Sequence, residues 1–435
     1  MSARRFDPSG PLRGEFSPPP DKSISHRAAL FGAMCDEPVV VRNYLDSADT
    51  QSTLDALLTL GAAVEESETP GELLIRGVGL HAALEATGGQ LDVGNSGTLL
   101  RLLPGWLAGQ PGGIWTLDGD DSIKRRPVDR VVEPLTMMGA DVQAREGRLP
   151  PLKVCGTDLH GIDYELPVAS AQVKSCVLIA GLLASGSTSI TERTHSRDHT
   201  ERILRRSRVP FERDGLTLSV SQTDELELDE IAVPGDPSSA AFMVAAACLV
   251  PDSRVVIDNV GLNWTRTGFM RIAQRMGAVI LGDLEDVGTF ADDEPVGELD
   301  VAFAPLEGTT VAPEEVPMSI DELTLVALLG AFAEGETSVS GAEELRHKES
   351  DRITAVVEEL SAIGADIEDT GDGFTVRGNG GSLEGGRIDA RGDHRLAMLG
   401  AVAGLACEKG VEVVGMEAAA ISYPEFEVDL AALLR

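Results

Sequence analysis

Lysine is nearly absent from this 435-residue chain. There are six, Lys22, Lys124, Lys153, Lys174, Lys348 and Lys409, and arginine supplies the rest of 36 basic residues set against 71 acidic ones. The net charge of -35 repels phosphate backbones and anionic lipid surfaces, which argues against nucleic acid or a membrane as partner. Aromatic residues make up 4%, too few for a base-stacking surface. The five cysteines, Cys35, Cys155, Cys176, Cys248 and Cys407, are scattered and show no C-x-x-C or His partner spacing. They read as reduced structural thiols, not as a disulfide framework or a metal site. No apolar run approaches the ~18 residues that span a bilayer, and no apolar region follows Met1-Ser2-Ala3-Arg4-Arg5. The sequence therefore predicts a globular protein of the cytoplasm.

An acidic, lysine-poor surface fits work in very high salt, where the Debye length falls to about 3 Å at 1 M and self-repulsion is screened. If lysine was removed from the surface, those left in polar clusters, Lys22 and Lys348 first, are expected to serve chemistry.

The chain does have repeated polar openings to small-residue helices. They are Asp21 to Arg27, Gly94 to Arg101, Ala169 to Ser175, Gly235 to Ser239, Ser319 to Glu322 and Asp393 to Arg395. Their recurrence at roughly seventy to eighty residues reads as repeated supersecondary units. Between them lie amphipathic helices that end in Gly-Ala and run into a short strand, as at Gly61-Ala62, Gly139-Ala140, Gly277-Ala278 and Gly364-Ala365. Gly after the last turn is a natural helix stop. Each unit then reads strand, buried helix, strand, surface helix, strand, strand, and six units exceed one core of about 250–300 residues. Proline-rich interruptions at Pro18-Pro19-Pro20 and at Val233 to Pro237 suggest one domain of 21–233 and a discontinuous one of 1–19 plus 234–435.

Helix N-termini present free N–H groups and a positive dipole end to anions. The richest opening is Lys348-Glu349-Ser350-Asp351-Arg352, ahead of apolar Ile353, Val356, Val357 and Leu360 at helical spacing. If the helix begins by Lys348, that lysine and Arg352 share a face. Asp351 reads as a helix cap, Lys174 as solvated or structural, and Arg101 either snorkels or joins a site. His26 and His394 read as orienting groups and His199 as an accessory residue.

The segments Asp21 to Arg27, Gly94 to Thr98 with Arg101, Lys124 to Pro127, Ser170 to Gln172, Ser196 to His199, Lys348 to Arg352 and Asp393 to Arg395 together resemble the enolpyruvyl transferases, and among them the 5-enolpyruvylshikimate-3-phosphate (EPSP) synthases. The resemblance spans nearly the whole chain. With the composition, it points to a member from a halophilic archaeon. It implies an α/β fold, a two-domain inverted α/β barrel built from six βαβαββ units, with the active site in the cleft between the domains. It also implies transfer of the enolpyruvyl group of phosphoenolpyruvate to the 5-hydroxyl of shikimate 3-phosphate, with release of phosphate. No metal and no organic cofactor is expected, and the protein is expected to be a monomer with two small-molecule substrates.

By resemblance, the shikimate 3-phosphate side comprises Lys22, Ser23, Arg27, Ser170, Ala171, Gln172, Arg197, Asp321 and Lys348. The phosphoenolpyruvate side comprises Lys22, Gly97, Arg126, Gln172, Arg352 and Arg395. Asp321 would act on the 5-hydroxyl and Glu349 on the methylene proton, with Lys22 a second candidate for proton transfer. One expected cation is missing, since Ile421 stands where many relatives carry a lysine. Three rivals are disfavoured. The related transferase acting on UDP-N-acetylglucosamine usually has a cysteine in the loop matching Asp118–Pro127, where none falls here. A pure anion binder gains nothing from two carboxylates such as Asp321 and Glu349. An RNA-end-processing relative conflicts with the charge and the few aromatics.

Overall fold

The computed structural model describes residues 3–83 and 89–434. They carry twelve α-helices: α1 (Lys22–Met34), α2 (Ala48–Thr59), α3 (Gly97–Ala108), α4 (Asp129–Met137), α5 (Ala171–Leu183), α6 (His199–Arg206), α7 (Pro237–Leu249), α8 (Gly268–Arg275), α9 (Leu323–Phe332), α10 (Arg352–Ala362), α11 (His394–Ala406) and α12 (Phe426–Leu433). Two compact units result, one of Pro20–Val233 with Phe290–Glu294, the other of Met1–Pro19, Pro234–Thr289 and Pro295–Arg435. Each has its own apolar core.

The odd-numbered helices are rich in Ala, Gly and Leu and almost wholly buried; every residue of α7 is. Small residues let backbones approach closely. A Cβ at Gly105 on α3 would lie 2.3 Å from the Cys176 carbonyl oxygen of α5, so only glycine fits that crossing. Side-chain oxygens close the helix starts: Asp21 accepts from Ile24 N, Ser96 from Leu99 N, Ser170 from Val173 N, Asp236 from Ser238 N and Asp393 from Arg395 N. α9 differs, since Glu322 at its cap position makes no such bond.

The even-numbered helices lie over the sheets, and four of them stop at a left-handed glycine: Gly61, Gly139, Gly277 and Gly364 have φ of +97°, +97°, +101° and +104°. Five four-stranded sheets share one plan, and a sixth has three of its strands. Gly89–Asp92 runs parallel to Ile114–Asp118, which pairs antiparallel with Leu149–Cys155, and Asp141–Arg145 completes the sheet on that strand. The register stacks Leu91, Leu117 and Leu152, all buried against the helices. In both units distant strands complete the outer repeats. Glu230–Ala232 leads the sheet of Val39–Arg42, Arg13–Phe16 leads that of Arg254–Gly261, and Ala3–Phe6 joins Val411–Val414. The six βαβαββ repeats, in two three-repeat units, form the inverted α/β barrel architecture.

Among the described residues no helix is long and apolar enough to cross a membrane. Nor does any group of three or more His, Cys, Asp or Glu among them stand arranged to hold a metal ion. The five cysteines are free thiols.

Candidate active site

In the 20–233 unit the starts of α1, α3 and α5 gather cations. Lys22 Nζ lies 2.9 Å from Asp49 Oδ2 of α2. Burial pushes the Asp49 carboxyl up, but the charges of Lys22 and His26 outweigh it and hold the group well below the usual carboxylate range. His26 sets Nδ1 against Thr53 Oγ1 at 2.7 Å and Nε2 3.3 Å from Asp49 Oδ1, so it orients Asp49. Arg27 is buried and pinned: Nε donates to Thr200 Oγ1 (2.8 Å), Nη2 to Ser175 Oγ (3.0 Å) and Nη1 to the Ser23 carbonyl (3.0 Å).

At α3 the guanidinium of Arg126 overhangs Gly97. A Cβ there would lie 2.5 Å from Arg126 Nη1 and 3.2 Å from Arg101 Nη1. A bare helix N-terminus beneath two guanidiniums is an anion cradle that any side chain at position 97 would fill. Arg101 does not snorkel. It donates to Gln172 Oε1 (3.0 Å) and to the Pro127 carbonyl (3.1 Å), and Gln172 Nε2 donates to Thr98 Oγ1 (3.1 Å), which joins α3 to α5. Ser170 and Ala171 sit half-buried at the start of α5. Arg197 stands half-buried on the turn before α6, between buried Ser196 and Asp198.

Of the two sequence readings of Lys174, solvated or structural, the structure shows the structural one. Lys174 is 0% exposed, with Nζ at 2.5 Å from Glu201 and 3.0 Å from Glu192.

The other unit is built differently. Lys348 lies outside α10, following a 3-10 turn over Glu343–His347, so helical spacing does not align it with Arg352. A shared acceptor does: Lys348 Nζ and Arg352 Nη1 each reach Asp321 Oδ1 at 3.2 Å. Asp351 caps α10 through Thr354 N. Arg352, expected to meet phosphoenolpyruvate, is 1% exposed, and its guanidinium is divided among Asp321, Glu349 (2.6 Å) and Asp393 (2.8 Å). Arg395 Nη1 donates to Glu322 (3.3 Å), and its Nη2 lies 3.8 Å from Asp321. Ile421 is half-buried against the apolar core, at the end of a 3-10 turn over Met416–Ile421.

The two constellations differ in what surrounds their cations. In the first, Lys22 pairs with Asp49, Arg27 bonds to hydroxyls and a carbonyl, and Arg101 to an amide and a carbonyl; in the second, Lys348, Arg352 and Arg395 pair with Asp321, Glu322, Glu349 and Asp393. One is suited to hold anions and the other to move protons.

The family model for EPSP synthase (3-phosphoshikimate 1-carboxyvinyltransferase) matches residues 6–430. The chain belongs to the EPSP synthase family. It is 43% identical over 428 residues to the 3-phosphoshikimate 1-carboxyvinyltransferase of Oceanobacillus iheyensis, covering 98% of both chains. It is 45% identical over 420 residues to that of Acidithiobacillus ferrooxidans, covering 96% of this chain and 95% of the relative. The solved EPSP synthase of Acinetobacter baumannii superposes with a TM-score of 0.85 at 38% identity, over 99% of this chain and 97% of that one. The enolpyruvyl transferase NikO of Streptomyces tendae, at 16% identity and a TM-score of 0.73, shares the fold.

Sequence reasoning missed Asp49, Thr98, Ser175, Thr200 and Glu322, which hold expected site residues in place. Asp49 and Thr53 had a legible signal: on α2 they stand four apart, on one helical face, as a facing pair for Lys22 and His26. Ser175 had only its place in the Ala169–Ser175 opening, and Thr200, on the charged helix α6, had no signal of its own.

Proposed function

We propose that both constellations serve one substrate pair, the cation-rich one holding its anions and the carboxylate-rich one moving its protons. As a member of the EPSP synthase family, the chain transfers the 1-carboxyvinyl group of phosphoenolpyruvate to the 5-hydroxyl of shikimate 3-phosphate, releasing phosphate, in the shikimate pathway. The observation that carries the division of labour is the contrast between the neutral hydroxyl, amide and carbonyl partners of Arg27 and Arg101 and the four carboxylates around Lys348, Arg352 and Arg395.

In this reading Arg27, Arg197, Ser23, Ser170 and Gln172 hold shikimate 3-phosphate; Ser170, though it caps α5, keeps its hydroxyl proton to donate. Arg126 over Gly97, with Lys22 and Gln172, takes phosphoenolpyruvate, and the bidentate fork of arginine suits its phosphate. Asp321 accepts the 5-hydroxyl proton as the oxygen attacks C2, while Glu349 delivers a proton to the methylene carbon. The tetrahedral intermediate then loses a methyl proton to Glu349 and expels phosphate, so the proton gained in the addition is returned in the elimination. Lys348, bonded to Asp321, stabilises charge developing between the substrates. Arg352 and Arg395 reach phosphoenolpyruvate by exchanging Glu349 and Glu322 for substrate oxygens, which would release Glu349 to act. In this reading the protein is a cytoplasmic monomer.

The test is Glu349→Gln. It should lower kcat by roughly 10²–10⁴, the range for loss of a general acid–base, with a smaller change in KM. Near-normal kcat would remove Glu349 from the mechanism.

A further inference from the structure

Lys174 is a costly residue to place where it is. Its ammonium is wholly enclosed, in a chain with six lysines, and it touches no surface from which a substrate could approach. Stability does not account for it, since replacing a buried ion cluster by apolar groups of similar volume is often neutral or stabilising. Its contacts are Glu201 on α6 at 2.5 Å, Glu192 at 3.0 Å and the Ser196 carbonyl at 3.5 Å, and Ser196 Oγ in turn donates to Glu192 at 2.5 Å.

The neighbours of these residues matter more. Ser175 follows Lys174 on α5, and Thr200 precedes Glu201 on α6; their hydroxyls lie 2.7 Å apart and together receive the guanidinium of Arg27. Arg197 follows Ser196. The same buried cluster therefore adjoins the acceptors that fix one arginine and the turn that carries another.

We propose that Lys174 is a positioning residue for shikimate 3-phosphate, tying α5 to α6 and to the Ser196–Arg197 turn so that Arg27 and Arg197 hold the spacing the substrate needs. The inference rests on the substrate assignment above. Burial pushes Glu201 up to about 7, against the pull of Lys174 and with the carboxylates of Glu192 and Asp198 adding to the rise. Lys174 itself is desolvated, yet its two glutamates hold its pKa above the ordinary value. The lysine thus keeps the charge that a tie between two helices requires.

Lys174→Met alone strands two buried carboxylates and is expected to fold poorly. The informative variant is Lys174→Met with Glu201→Leu, which removes the tie and leaves an apolar contact in its place. Initial rates of phosphate release are measured for it and for the unaltered protein while each substrate is varied in turn; turnover by the unaltered protein tests the substrate assignment separately. The expected result is a KM for shikimate 3-phosphate raised on the order of ten-fold or more, since small misplacements of a substrate clamp cost up to about 10²-fold. The KM for phosphoenolpyruvate should stay within about two-fold, inside the scatter of an indirect effect, and the melting temperature should be little changed. An unchanged KM for shikimate 3-phosphate, an equal rise in both KM values, or a double variant that fails to fold would each overturn the proposal.

Discussion

Arg352 donates from Nε to Asp393 Oδ2 across 2.8 Å, and both side chains are closed to solvent. Burial pushes the Asp393 carboxyl up, but the charge of Arg352 outweighs it and holds the group below its ordinary value. Asp393 also caps α11 through Arg395 N and accepts from Ser350 Oγ. One carboxylate therefore joins the Lys348–Arg352 segment to the helix that carries Arg395.

Asp393→Ala should accordingly destabilise the protein by about 3–5 kcal/mol, the usual cost of breaking a buried ion pair from one side. Urea unfolding measures it. A loss under about 1 kcal/mol, no more than a lost cap, would show that Asp321 and Glu349 alone suffice to hold Arg352.

Ile421 allows a gain-of-function test. It is only half-buried at the end of its 3-10 turn, so a lysine there can extend its ammonium to water. Ile421→Lys should add a charge-assisted hydrogen bond of about 1.5–3 kcal/mol to bound phosphoenolpyruvate, less the cost of ordering the side chain. The expected outcome is a several-fold lower KM for phosphoenolpyruvate with that for shikimate 3-phosphate unchanged. Lost stability without that gain would show that this chain completes its site from another residue.

The excess of acid predicts a salt dependence. With a net charge of -35, repulsion among surface carboxylates weakens as the Debye length shrinks from about 10 Å at 0.1 M to about 3 Å at 1 M. The melting temperature should rise as KCl is taken to molar levels. A flat or falling curve would contradict adaptation to high salt.

The repeats were legible because their punctuation is local: a capping Ser or Asp opens α1, α3, α5, α7 and α11, and a glycine with positive φ closes α2, α4, α8 and α10. Strands such as Arg13–Phe16 are four residues long and mostly exposed, so they carry no alternation that would announce their sheet. The cationic residues of the site could be placed by motif, but not their partners. Arg352 reads in sequence as a helix-start cation that meets phosphoenolpyruvate, and only folding shows three carboxylates around it. Sequence left Lys174 open between solvated and structural for the same reason, since Glu192 and Glu201 reach it from another strand-to-helix turn and from α6.

The most direct measurement is phosphate release from phosphoenolpyruvate in molar KCl, with shikimate 3-phosphate or UDP-N-acetylglucosamine as acceptor. The account predicts saturable turnover with shikimate 3-phosphate, none above background with UDP-N-acetylglucosamine, and formation of the enolpyruvyl ether in step with phosphate. Turnover with the nucleotide sugar, or none with shikimate 3-phosphate at any salt concentration, would contradict it.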